Sequence, residues 1–492
     1  MSSNKFDVLI IGGGIVGCAI AWKLSRYNLK VGLIEKEPDI AVGTTKANTA
    51  IIHAGYNANP KTLKGRLNVK GNEQIEKLVK DLEIPFKRIG SLVVAVKGDD
   101  LTVLDKLYEK GIKNKVAGLK IVDQQWLREN EPNLTKDAVA ALWAPTAGII
   151  SPWEYALAMI ENAVENNVKL MLETEVRDII REGNQVVAVK TNRGNIKTDF
   201  IINAAGLFSD EIARMVGIDK VSIKPRKGEY ILYDKAMDFT VNHVIFPVPT
   251  PISKGVVITN TVDNNVLIGP TSDPVASKTD LSTTAIGLKK VFDGARKLFP
   301  GLTLGDRIRV FAGLRAADES EDFIIETDEN IKGFINVAGI QSPGISSAPA
   351  IGDLVLDILK DEGLEMIEGA NVITKRKKPV KFSELDNEGR EKLIKSNPRY
   401  GQIVCRCETV TYQEILDAIH SPVGARTVNA VKRRVRAGMG RCQGGFCGPK
   451  VVEILAQELG IEPTEVLQEE KKSYLLNYKI KELLNKEVID HV

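Results

Sequence analysis

The turn Gly12-Gly13-Gly14-Ile15-Val16-Gly17 constrains this chain more than any other feature. It follows an apolar run, FDVLII at 6–11, and opens a helical pattern over 15–26; a second apolar run, VGLIE at 31–35, comes next. Strand, glycine turn, helix and strand within about 30 residues form the βαβ unit of a nucleotide-binding fold. In a G-x-G-x-x-G pattern Gly12 permits the tight turn, Gly14 lets the backbone approach a pyrophosphate, and Gly17 allows close packing of helix on strand. The helix N-terminus adds N–H groups and the positive end of a dipole. Glu35 closes the second strand, where a carboxylate can accept the hydroxyls of an adenosine ribose. The start of the chain therefore reads as a dinucleotide site.

With 492 residues the chain is expected to hold more than one folded unit. A net charge of +3 gives no reason to expect nucleic acid or an acidic membrane surface as a partner. The N-terminus, MSSNKFDVLIIGGG, runs straight into a strand, and the apolar runs are far shorter than the ~20 residues that span a bilayer. A cytoplasmic protein is expected, with any membrane association peripheral and through a partner. Strand-like runs recur at 91–96, 168–172, 185–190 and 199–203, strands and turns alternate over 221–261, and 281–299 has the pattern of an amphipathic helix. A strand at 334–338 and a helix from near 346 close the first unit.

Four of the five cysteines crowd into 405–447, which favours a metal or redox centre over a disulfide framework. Cys405 and Cys407 form C-x-C, and Cys442 and Cys447 form C-x4-C. Four thiolates are the ligand set of a [2Fe–2S] cluster or of a structural zinc. Zinc sites usually use C-x2-4-C pairs, so C-x-C argues for the cluster without excluding zinc. The glycines around Cys442 and Cys447 would let backbone N–H groups approach the sulfurs. The run VKRRVRAGMGR at 431–441 reads as a basic helix able to offset a negative cluster. Cys18, beside Gly17, reads as packing.

NAD and FAD both use the βαβ unit, and three further segments favour FAD. IINAAG at 201–206 is a strand ending in small residues, fit to pass beneath a bound dinucleotide. GFINVAGIQSPGISSAPAIG at 333–352 sets Gly339 and Gly344 between a strand and a helix whose N-terminus could neutralise a reduced flavin ring. GTTKANTAIIHAGY at 43–56 follows the acidic strand with hydroxyl and amide residues. In this order, the segments over roughly 1–360 resemble the D-amino-acid oxidase/glycerol-3-phosphate dehydrogenase superfamily of FAD enzymes. That resemblance implies that Ile15, Val16, Glu35 and Lys36 join the glycines at the cofactor, that Thr44, Thr45, Asn48 and Thr49 lie along its diphosphate and flavin, and that Val176, Ala205 and Gly206 meet the adenosine side. Gly339 and Gly344, Ile345 and Ser346 would wrap the isoalloxazine. The cysteine region resembles the bacterioferritin-associated-ferredoxin-like [2Fe–2S] domain.

The expected fold is α/β: a Rossmann-like FAD-binding domain (1–80, 148–215, 330–365), an α+β substrate domain with an antiparallel sheet (81–147, 216–329), and a small helical [2Fe–2S] domain at 399–460. Residues 366–398, with KRKKPVKF and a charged helix, read as a linker, and 461–492 as a helical tail.

A flavin dehydrogenase of this kind oxidises a C–H next to oxygen or nitrogen, and a group near neutral pKa must take the proton. Of the four histidines, His53, His243, His420 and His491, only His53 lies in a segment that the resemblance sets against the flavin. Arg315, in VFAGLRAA, reads as following a strand into a polar turn, where related enzymes hold the substrate anion; a guanidinium suits bidentate carboxylate or phosphate binding. Lys227 and Tyr230 in PRKGEY, and more remotely Lys254, are further candidates. The stretch 47–96 most resembles bacterial glycerol-3-phosphate dehydrogenases and oxidases, with L-2-hydroxyglutarate oxidising enzymes sharing much of it. Since the attached cysteine domain also occurs in anaerobic glycerol-3-phosphate dehydrogenases, the resemblance implies glycerol 3-phosphate over L-2-hydroxyglutarate or an amine or imino acid. The remaining alternative is an electron-relay subunit without catalysis of its own. A two-electron flavin joined to a one-electron cluster implies stepwise export to a partner flavoprotein or quinone-linked acceptor, in an oligomer or hetero-complex.

Overall fold

A computed structural model describes residues 5–249 and 255–480. The chain divides into two compact units, one of residues up to 36 and 41–377, the other of 37–40 and from 378 onward. Lys254, His491 and the 481–492 part of the expected tail lie outside the described residues.

The first unit is built on the glycine motif. The strand β1 (Lys5–Ile11), the helix α1 (Ile15–Leu24) and the strand β2 (Val31–Ile34) follow one another as the periodicity predicts. β1 is buried over its last four residues because it lies inside a sheet, parallel to β2 on one side and to the strand Gly194–Asn203 on the other. The strands Ile331–Ala338 and Lys169–Met171 extend this parallel core, and an antiparallel pair, Val176–Glu182 with Gln185–Thr191, finishes one edge. α1 is apolar nearly all round since it packs against two other helices, Pro152–Glu165 and Gly344–Asp361.

A second sheet of nine strands lies within the same unit. Its spine is the antiparallel pair Ile223–Tyr233 and Arg307–Asp318, and it continues through residues 266–269, 257–260, 244–247, 91–96, 138–144 and 120–123. One pairing, 244–247 with 91–96, is parallel. The helix Ala285–Leu298 lays Val291, Ala295 and Leu298 on this sheet's core. Its start is fixed by Thr284, whose hydroxyl accepts the Gly287 N–H.

The expected linker does not hang free. Its first part belongs to the first unit, where the Ile373 carbonyl accepts from Asn162, Asn166 and Arg26, and Arg376 pairs with the buried Glu161. From residue 378 it belongs to the second unit, and the Phe382 N–H donates to Glu414.

The second unit packs the helices Tyr412–Ile419, Val428–Val435 and Gly448–Leu459 beside a two-stranded ribbon, Ile403–Cys405 with Val410–Thr411. The basic helix ends sooner than the sequence predicts, at Val435, where Arg436 takes a left-handed conformation at φ 65°. Its arginines also face a different charge. Arg433 and Arg434 place guanidinium nitrogens 2.7 and 2.9 Å from the buried Asp39 carboxylate, and Arg433 also bonds Glu469. Over 461–479 the chain forms a 3-10 turn at Pro463–Glu465 and a bridge between Leu467 and Tyr474 where α-helix was expected, and residue 480 is helical.

Candidate functional site

Gly12 has φ +108°, and a Cβ there would stand 2.5 Å from the Ala204 carbonyl oxygen; at Gly17 a Cβ would stand 2.0 Å from the Gly12 oxygen. Both positions exclude side chains, so the turn sits directly on the end of the strand Gly194–Asn203. Asn203 fixes that end by donating to the Ser209 carbonyl at 2.7 Å and to Asn336 at 2.9 Å. Ala205 and Gly206 follow at once, and a side chain at Gly206 would meet nothing within 4 Å. The Gly13 N–H donates to a Glu35 carboxylate oxygen at 2.7 Å, and the Ile15 N–H donates to the Thr45 hydroxyl at 3.0 Å. The Thr174 N–H donates to the Glu35 carbonyl, which brings the strand beginning at Val176 beside the acid. Lys36 lies 4.0 Å from the Phe208 ring centroid. The expected cofactor residues of the first 36, Val176 and 205–206 are thus gathered round one turn.

Residues 44–53 run from this turn to the other candidates. The Thr44 hydroxyl donates to the Leu314 carbonyl at 2.7 Å, one residue before Arg315. Asn48 braces the turn by donating to the Thr44 and Thr45 carbonyls, and it accepts from Ala50, whose φ is +58°. Thr49 lies half-buried between them. His53 is held by its backbone: its N–H donates to the Ser346 hydroxyl at 2.7 Å, and its carbonyl accepts from Asn72 at 2.9 Å. Its Nε2 lies 3.3 Å from the Ser342 hydroxyl, and its ring lies 6.0 Å from that of Phe246. Gly339, at φ +66°, ends the strand before this segment, and Gly344 and Ile345 begin the helix after it.

Arg315 lies within the strand Arg307–Asp318 and not in a turn after it, because pairing with Ile223–Tyr233 continues to Asp318. Its guanidinium donates to the Thr271 carbonyl at 3.2 Å and reaches the Ser272 hydroxyl at 3.5 Å. Tyr230 is buried, stacks on Phe311 at 4.8 Å and meets Arg315; burial raises its phenol pKa despite that cation. Lys227 is buried too, and its ammonium lies 2.8 Å from Asp280 and 3.3 Å from the Ser282 hydroxyl. Its charge is committed within the fold. Ser342, Phe246, Thr271 and Asp280 carry no sequence signal that marks them; each is brought in by a strand or turn far away in the chain.

In the second unit Cys405, Cys407, Cys442 and Cys447 line one cavity of about 90 Å³ with Arg406, Arg441 and Phe446. Among the described residues no group of three or more His, Cys, Asp or Glu is arranged to hold a metal ion. The sulfurs instead meet in pairs: Cys405 with Cys407 at 3.8 Å, Cys405 with Cys447, and Cys407 with Cys442. A two-iron cluster takes four thiolates divided between its irons. The bond from Cys447, with backbone N–H groups of Gly438 and Glu408, brings the Cys405 thiol down to about 5 against its burial. The Phe446 and Gly444 N–H groups lower Cys442, while burial pushes Cys407 up to about 11. Backbone N–H groups thus favour negative charge at Cys405 and Cys442, whereas the bond to Cys405 pushes Cys447 up. Cys18 is buried in α1 and takes no part.

Residues 7–358 match the FAD dependent oxidoreductase family (DAO). The chain belongs to that family. Residues 403–457 match the BFD-like [2Fe-2S] binding domain. Across 96% of this chain and 98% of its own length, a glycerol 3-phosphate dehydrogenase of Caloramator mitchellensis is 51% identical. A glycerol 3-phosphate oxidase of Mycoplasma genitalium is 33% identical over 72% of this chain and 95% of its own. The FAD-bound, dithionite-reduced L-α-glycerophosphate oxidase of Mycoplasma pneumoniae superposes with a TM-score of 0.73 at 30% identity, covering 76% of this chain and 99% of that one. From the first match the chain takes FAD as a cofactor, and from the second a [2Fe–2S] cluster. The residues fit both: an open glycine cradle at a helix N-terminus suits a pyrophosphate, and paired thiols with N–H donors suit a cluster. No helix among the described residues is long and apolar enough to cross a membrane.

Proposed function

We propose that this FAD dependent oxidoreductase oxidises sn-glycerol 3-phosphate to dihydroxyacetone phosphate and sends the electrons through its [2Fe–2S] cluster to a partner acceptor. The observation that carries the reading is the likeness to the Caloramator mitchellensis dehydrogenase, which extends over almost the whole chain and so over both cofactor regions. The geometry supports it with a histidine and an arginine at opposite ends of the 44–53 segment and its neighbours.

FAD held at the glycine turn would supply the hydride acceptor and a means of passing electrons on singly. His53 takes the proton of the C2 hydroxyl as the C–H pair leaves, so the alcohol becomes a ketone. Ser346 and Asn72 fix the His53 backbone, and Ser342 restrains the ring. Arg315 holds the phosphate with a planar guanidinium whose other donors are tied to Thr271 and Ser272. Lys227 serves the scaffold, since Asp280 already neutralises it.

The test is an anaerobic mixing experiment that follows flavin absorbance. Glycerol 3-phosphate should bleach the flavin, and L-2-hydroxyglutarate should leave it oxidised on the same timescale. Bleaching by L-2-hydroxyglutarate alone would assign the other substrate, and no bleaching by either would leave electron relay as the chain's role.

A further inference from the structure

The mouth of the thiol site carries a surface that the cluster itself does not require. Cys442 is exposed, whereas Cys405 and Cys447 are buried, so one edge of the ligand set faces solvent. Beside it Phe446 is 59% exposed, an uncommon degree for a phenylalanine. The Arg406 guanidinium lies 4.7 Å from the Phe446 ring centroid and holds the ring in place. Arg406 and Arg441 are both exposed, and the cavity lining contains these two cations and no anion. The nearest acid along the chain, Glu408, is buried and bonded to Arg436.

We infer that Cys442, Phe446, Arg406 and Arg441 form the docking surface for a small acidic one-electron carrier protein. The inference rests on the relay reading above and adds the partner's chemistry. An exposed aromatic ring with a cationic rim over a redox edge has the make-up of a small transient interface: an apolar centre that desolvates, and charges that steer the encounter. The two arginines also offset the charge of four thiolates, but that task does not require an exposed ring beside Arg406. A basic carrier would meet like charge at this mouth, and an acidic one finds its complement. Each substrate oxidised releases two electrons, so two carriers are each reduced by one electron.

The test uses the full holoenzyme with two haem proteins of opposite charge, the acidic soluble domain of cytochrome b5 and the basic cytochrome c. Binding is measured by titration calorimetry at several salt concentrations, and haem reduction by stopped flow. Cytochrome b5 should bind more tightly than cytochrome c, with affinity falling as salt rises. The double variant Arg406→Glu/Arg441→Glu should weaken cytochrome b5 binding by about tenfold or more at low salt. Phe446→Ala should weaken it with little change in the salt dependence. Both variants should keep the cluster's visible absorbance and the wild-type rate of flavin reduction by substrate. Unchanged cytochrome b5 affinity in cluster-loaded variants, or preference for cytochrome c, overturns the docking surface. Failure of the relay shows separately, as haem reduction that persists at the wild-type rate in Cys442→Ser protein lacking the cluster.

Discussion

The Ser342 hydroxyl lies 3.3 Å from Nε2 of His53, across 289 residues of sequence. The histidine comes from the segment after the dinucleotide turn, and the serine from the loop that opens the helix Gly344–Asp361. The pair restrains the ring of a histidine placed against that helix start. His53→Ala should therefore slow anaerobic flavin reduction by ~10²–10⁴-fold while FAD stays bound. Ser342→Ala should slow it by about tenfold, the size of one lost hydrogen bond, and should shift the pH profile of reduction. A wild-type rate in His53→Ala protein would remove the base from the mechanism.

Arg315 and Lys227 are both cations on paired strands, yet they should respond differently to loss. Arg315 reaches the Thr271 carbonyl, the Ser272 hydroxyl and Tyr230. Arg315→Ala should raise KM for the phosphate substrate by about 10–100-fold, as expected for a charge-assisted contact. Lys227→Ala should act on stability instead, by roughly 1–3 kcal/mol, since it breaks the pair with Asp280. Steady-state kinetics and thermal unfolding of the two variants separate the roles.

Gly12→Ala should yield protein without flavin. The alanine would need φ +108° and would drive its methyl to 2.5 Å from the Ala204 oxygen. Gly301→Ala, where a side chain meets nothing within 4 Å and φ is not positive, is the matched control. The ratio of flavin to protein absorbance after purification reads the outcome, and full flavin content in Gly12→Ala protein contradicts the cradle.

Asp39 should make the second unit sensitive to acid. Burial alone would raise its carboxyl, but the Arg434 and Arg433 guanidiniums outweigh that and hold it at about 2. A carboxylate whose folded pKa lies below its unfolded value contributes stability above about pH 4 and loses it as pH falls toward 2. The contribution is about 2 kcal/mol. Asp39→Asn should lower stability at neutral pH, and its deficit against the parent should shrink between about pH 4 and 2 in denaturant titrations. A deficit that stays constant over that range would show that the charge is not the source.

Parts of the protein whose signals are local were legible in the residues alone. Gly12, Gly14 and Gly17 sit at fixed offsets between an apolar strand and a helix, and Glu35 ends the next strand, so the cradle could be read from spacing alone. The cysteine pairs were legible for the same reason, since two residues apart and five apart are short reaches for a loop. The surroundings of those parts came from long-range contacts in the closed fold. Arg315 moved from a turn into a strand because its partner strand, some 90 residues earlier, continues the ladder to Asp318. The basic helix stopped at Val435, and Arg433 and Arg434 turned to Asp39 and Glu469, while Arg441 beyond its end lines the thiol cavity. Lys227 lost its standing as an open cation to Asp280, and His53 gained Ser342. Each of these depends on which distant group the closed fold brings within 3 Å or so, and a hydrogen bond or ion pair across a long loop leaves no periodicity in the residues that make it.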